Sequence, residues 1–105
     1  MNNLNIERAI LSTFLFINDT NDILEDVYKL DLRAFSTPFN KRVAEKLNLV
    51  RNGHYGFLSY QLEESVRGTA FEFDWIEILA QTPLTLKYSK RYYDDLLKKQ
   101  LMKVL

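Results

Sequence analysis

The sequence predicts an all-α fold of about six helices. Three observations lead there. Apolar residues recur at helical spacing in at least four segments. The 105 residues include only three glycines and two prolines, too few to punctuate the turns of a sandwich or barrel. Apolar residues make up 47% of the chain and aromatics 13%, which excludes a disordered chain. A chain of this length is expected to form one domain and to bury roughly two-thirds of the surface its unfolded form exposes. Residues 1–105 are read as that domain, with the bundle over about 1–86 and a C-terminal helix over about 87–105.

The first helix is capped by Asn3 or Asn5, with Glu7 in its opening turn. Ile6, Ile10, Thr13, Phe14 and Ile17 recur at helical spacing, while Leu11, Leu15 and Phe16 lie off that stripe. A helix apolar almost all round is a central one. "NDTND" at Asn18 to Asp22 ends it, and Asp22 caps a short second helix with Ile23, Leu24, Val27 and Tyr28 apolar.

In "AFSTPFNKRV" at Ala34 to Val43, two phenylalanines bracket Ser36, Thr37 and Pro38. Ser36 or Thr37 supplies a cap, and Pro38 takes the first helical position, where a missing N–H costs nothing. Phe39, Val43, Leu47 and Val50 follow as an apolar stripe, and Phe35 faces back along the chain as in a hydrophobic staple. The stretch reads as a helix start clamped by two aromatics. "RNGHYG" at Arg51 to Gly56 is a loop with Gly53 as a C-cap. Leu58, Leu62 and Val66 mark a fourth helix, broken at Gly68. Glu72 and Asp74 open a fifth that carries Trp75, Ile76, Leu79 and Ala80; it ends at "QTPLT" because Pro83 disfavours helix at Thr82. The last helix runs from about Ser89 to the end, with Tyr93, Leu97, Leu101 and Val104 as its core stripe.

The absence of cysteine excludes disulfides and thiolate metal sites. The first residues carry charge early and lack a secretory pattern, and the longest near-apolar stretch, Ala9 to Ile17, is too short to span a bilayer. A soluble cytoplasmic protein is expected. Formal net charge is zero, which argues against a general DNA-binding module, but its distribution is uneven. Glu63 to Glu77 holds five acids and one base, a net of −4; from Lys87 onward six bases face two acids, a net of +4.

No catalytic constellation emerges. His54, the one histidine, lies in a Gly-flanked loop with no second histidine to share a metal. The adjacent pairs Glu63–Glu64 and Asp94–Asp95 diverge by about 100° on a helix and do not form acid–base dyads. Ser12, Ser59 and Ser65 have no base near them in sequence, and no Gly-rich phosphate loop is present. No catalytic residue, cofactor or metal is expected. The candidate partner-binding residues are Tyr88 and Tyr92 with Lys99 and Lys103, which share a face of the last helix away from its core stripe. Tyrosines beside lysines suit stacking on single-stranded nucleic acid or a protein contact.

"NIERAILSTFLF" near the start resembles the opening of the amino-terminal domain of replicative DnaB-type hexameric helicases. "LDLRAFSTPFNKRVAEKL" is similar to the family segment in which an aspartate-phenylalanine-tyrosine-like turn leads into the third helix, with Ala34–Phe35 in place of the usual acidic-aromatic pair. "DWIEILAQTPLTLKYSKRYYDDLL" at Asp74 to Leu97 resembles the later segment, where a helix ends in a Pro-containing turn and a tyrosine-bearing helix follows. The resemblance covers most of the chain in order and spacing. It implies a small orthogonal helical bundle without catalytic residues, the last helix as the first arm of a helical hairpin that pairs such domains, and a role in helicase ring assembly and docking of a DnaG-type primase. The implied partners are other copies of itself and a primase or helicase domain, with no membrane and no strong direct nucleic-acid binding; a parent protein carrying the motor would be a DNA helicase. This sequence stops about where the first hairpin helix would end.

The helicase-binding carboxy-terminal domain of DnaG-type primases has a similar bundle and hairpin and is the alternative. A start at Met1 favours the helicase and an end at Leu105 the primase. A small regulatory or nucleic-acid-binding helical protein, using the basic last helix, is a second alternative.

Overall fold

The computed structural model describes residues 3–16, 28–49 and 55–103. They form α1 (Asn3–Leu15), a 3-10 turn (Leu32–Ala34), α2 (Pro38–Leu49), α3 (Tyr55–Val66), α4 (Glu72–Leu79) and α5 (Leu86–Met102), with no strand among them. The all-helical expectation therefore holds for the described residues. The short second helix expected after Asp22 lies outside them apart from Tyr28, as do Ile17, Val50, Gly53, His54 and Val104.

α1 is the axis about which the other helices pack. It touches each of the other four, and Ala9 to Leu15 are buried without exception. A helix enclosed on several sides needs apolar side chains around its whole circumference, and that is how this one reads. Its buried polar residues fasten the rest of the chain. Thr13 Oγ1 donates to Ala9 O at 2.7 Å and accepts from Leu84 N–H at 2.8 Å. Ser12 Oγ donates to Gln81 O at 3.3 Å. The turn between α4 and α5 is thus held on the face of α1.

Glu7 is fully buried. The sequence places it in the opening turn, as an acid beside the positive end of the helix dipole. Its carboxylate is instead the hub of the α1–α2 corner, with Oε1 accepting from Ser36 N–H at 2.8 Å and Asn40 Nδ2–H at 3.1 Å, and Oε2 accepting from Ser36 Oγ–H at 2.6 Å. Ser36 is therefore committed to Glu7. The cap of α2 falls to Thr37, whose Oγ1 accepts from Asn40 N–H at 3.1 Å. Pro38 opens α2, and Phe35 and Phe39 are both buried in the core, as the sequence predicts. Val43, Ala44 and Leu47 continue that face. Beyond it, Asn48 clamps the chain ahead of the 3-10 turn: its Oδ1 accepts from Leu30 N–H and its Nδ2 donates to Leu30 O, both at 2.8 Å.

α3 begins at Tyr55, so Tyr55 and Gly56 belong to a helix rather than to the expected loop. Glycine weakens a helix chiefly in its interior, so one in the first turn is tolerated. Leu58, Leu62 and Val66 are buried as expected. Gly68 ends the segment at φ +76°, a left-handed conformation that L side chains rarely adopt.

α5 begins three residues earlier than expected, because Thr85 caps it by accepting from Tyr88 N–H at 3.3 Å. Its buried stripe is Ser89, Tyr93 and Leu96, not Tyr93, Leu97 and Leu101. Leu97 is half-buried at the edge of the core and Leu101 is exposed. Two hydrogen bonds fix this rotation. The hydroxyls of Tyr28 and Ser89 pair at 2.7 Å, and Tyr93 OH accepts from Asp31 N–H at 2.7 Å. The first three turns of α5 therefore belong to the core.

Candidate docking surface

Exposed aromatic and apolar side chains cluster on two helices, while Leu49 on α2 and Tyr60 on α3 stand singly at the surface. The first is α5. Tyr88 and Tyr92 are 52% and 41% exposed, and Lys99 and Lys103 are exposed beside them. At 3.6 residues per turn the four lie within about 60° of one another around the helix. All four expected residues thus reach the surface on one face. That face carries Asp95 as well, and Arg91 flanks it.

The opposite side of α5 is what holds it in place. Phe14, Tyr28 and Tyr93 pack ring against ring, with centroids 4.9 Å apart for Phe14–Tyr28 and 5.0 Å for Tyr28–Tyr93. Lys90 Nζ lies over both tyrosine rings, 5.0 Å from Tyr28 and 5.2 Å from Tyr93, and pairs with Asp94 at 2.7 Å. Burial pushes the Tyr28 phenol well above its ordinary value, and the hydrogen bond with Ser89 opposes this only in part. Burial likewise raises Tyr93, against the hydrogen bond from Asp31 N–H. Asp31 is held below the usual carboxylate range by hydrogen bonds from Arg33, whose Nη2 lies 2.7 Å away.

The second surface is α4, which the sequence reading did not single out. Trp75 and Ile78 face inward, while Phe73 is 67% and Ile76 51% exposed, with Phe71 and Leu79 less so. Phe71 stacks on buried Phe39 at 5.4 Å and 13° between planes, which ties α4 to α2. Arg8 of α1 lies 4.0 Å from Asp74 and 3.8 Å from Glu77. The turn before α4 is tightly bonded: Thr69 Oγ1 donates to Val66 O at 2.7 Å and accepts from Phe71 N–H at 3.2 Å, and Glu72 Oε2 accepts from Gly68 N–H at 3.2 Å. Between α3 and α4 runs a groove of about 230 Å³. Trp75 lines it, and the indole Nε1 is buried without a hydrogen-bond partner. The sequence signal for this surface was present in "FEFDWIEIL", Phe71 to Leu79, where apolar residues occupy more of the circumference than one buried stripe needs.

The serines considered for nucleophilic chemistry have structural or surface places. Ser12 and Ser65 donate to the backbone carbonyls of Gln81 and Leu62, and Ser59 is half-buried on α3. Glu63 and Glu64 are both exposed, and Glu64 pairs with Arg67 at 3.1 Å. Among the described residues no group of three or more metal-ligating side chains comes together, and no helix is long and apolar enough to cross a membrane.

The fold and its surfaces define an all-helical bundle with two exposed aromatic faces. Comparison with protein-family models, with curated proteins and with solved structures returns no match.

Proposed function

We propose that this chain is a non-catalytic protein-interaction domain of the bacterial replisome. In this reading it plays the part that the amino-terminal domain plays in DnaB-type helicases, helping to assemble the ring and docking a DnaG-type primase. The carrying observation is the pair of exposed faces, Phe73 and Ile76 on α4 and Tyr88 and Tyr92 on α5. Large aromatic and apolar side chains held rigidly at a surface are characteristic of protein contacts, since they bring contact area at low entropic cost.

The replisome assignment rests on the sequence resemblance: the segments "NIERAILSTFLF", "LDLRAFSTPFNKRVAEKL" and "DWIEILAQTPLTLKYSKRYYDDLL" are similar to the DnaB-type domain in order and spacing.

The test is calorimetric titration of the chain with the helicase-binding carboxy-terminal domain of a DnaG-type primase. Saturable binding that weakens in a Tyr92→Ala/Lys99→Glu variant of unchanged melting temperature is the expected result. No binding, or binding indifferent to both faces, overturns the reading.

A further inference from the structure

We propose that copies of this chain associate through unlike faces, the acidic α3–α4 groove of one receiving the basic tyrosine face of α5 from another. The proposal rests on the docking reading of these two faces and names the occupant of one of them.

The groove specifies what it would hold. Trp75 is only 3% exposed, and its Nε1 donor has no partner within the molecule. The indole therefore offers the groove a closed apolar floor rather than an accessible donor. Ile76 and Leu79 add apolar wall, and Glu63 and Glu72 outnumber the one lining cation, Arg67, which is itself paired with Glu64 at 3.1 Å. The occupant must therefore bring apolar bulk and positive charge together. A tyrosine brings a large ring, and one flanked by cations meets both needs.

The α5 face has that composition. Tyr88 and Tyr92 stand exposed among Arg91, Lys99 and Lys103, with Asp95 the acid among them. Those three cations form no ion pair among the described residues, and neither does Glu63 across the two faces. Zero net charge thus conceals two complementary patches, which favours pairing between copies over uniform repulsion.

The test uses the chain alone. Sedimentation equilibrium in low salt is expected to show a mass that rises with concentration. The emission of Trp75, the one tryptophan, should shift in step, and both effects should fade at about 1 M salt, where surface charges are screened within about 3 Å. Two charge-reversed variants follow, Glu63→Lys/Glu72→Lys and Arg91→Glu/Lys99→Glu, each checked for parental helicity. Either alone sets like charges against each other and should associate roughly tenfold more weakly or worse. An equimolar mixture restores opposite charge at every contact and should associate like the parent. A parent that stays monomeric with concentration-independent emission, or a mixture no better than its components, overturns the proposal. The emission and salt series need no variant, so a misfolded variant does not shield it. No replication protein is present, so failure here counts against this contact alone, and failure of the primase titration counts against the docking reading.

Discussion

Glu7 on α1 and Ser36 ahead of α2 stand 29 residues apart and meet through two hydrogen bonds, one to each carboxylate oxygen, at 2.8 and 2.6 Å. Asn40 adds a third at 3.1 Å. A buried carboxylate is costly unless hydrogen bonds replace its water, and here three donors do so. Glu7→Ala strands those donors and is expected to lower stability by about 3–5 kcal/mol. Glu7→Gln should cost much less, about 1 kcal/mol. Its carbonyl can serve Ser36 N–H and Asn40 Nδ2–H, while its amide donates to a Ser36 hydroxyl rotated to accept. Urea melts of both variants check the order; equal losses would show that the corner needs the carboxylate itself and that the shape and hydrogen bonds a glutamine keeps do not sustain it.

Phe39 and Phe71 form a second long-range tie. Phe39→Ala should cost about 3–5 kcal/mol, because the ring is 3% exposed in the middle of the core. Phe71→Ala removes a partly exposed partner and should cost about 0.5–1.5 kcal/mol. The double variant should cost less than the sum of the two, since the stacking contact is lost only once. Strict additivity in denaturant melts would mean that the rings do not interact.

Buried Tyr93 and partly buried Tyr28 make stability sensitive to alkali. Tyr28 and Tyr93 have phenols raised above the usual 10.0 in the folded chain. The unfolded chain therefore releases these protons first. Their contribution is fully present below about pH 10 and declines as pH rises from there towards the folded values. Thermal melts from pH 8 to 11 should show the parent losing stability over that upper range, and Tyr28→Phe losing less of it. Parallel curves for the two proteins would remove Tyr28 as the cause.

The two sides of α5 should separate cleanly in mutation. Leu96→Ala, on the buried side, is expected to cost about 2–5 kcal/mol. Tyr92→Ala with Lys99→Glu, on the exposed side, should leave the melting curve within about 0.5 kcal/mol of the parent. A variant at Tyr92 and Lys99 that melts far below the parent would make that face structural.

The sequence by itself determined the helical class, the Pro38 start of α2, the enclosed character of α1 and the exposure of Tyr88, Tyr92, Lys99 and Lys103. Each of these follows from local rules: the period of apolar residues, the fixed φ of proline, and the angle between neighbours on one helix. What only the tertiary structure decided are the relations between distant segments. Glu7 looks like an ordinary first-turn acid until Ser36 and Asn40 arrive beside it. The rotation of α5 was misread by one stripe, with Leu97 and Leu101 in place of Ser89 and Leu96. Apolar residues fit either side of that helix, and the choice was made by polar partners on Tyr28 and Asp31 that periodicity does not record. The exposed apolar side of α4 has the same origin: its sequence is apolar on two faces, and only the packing against α1 and α3 selects which one is buried.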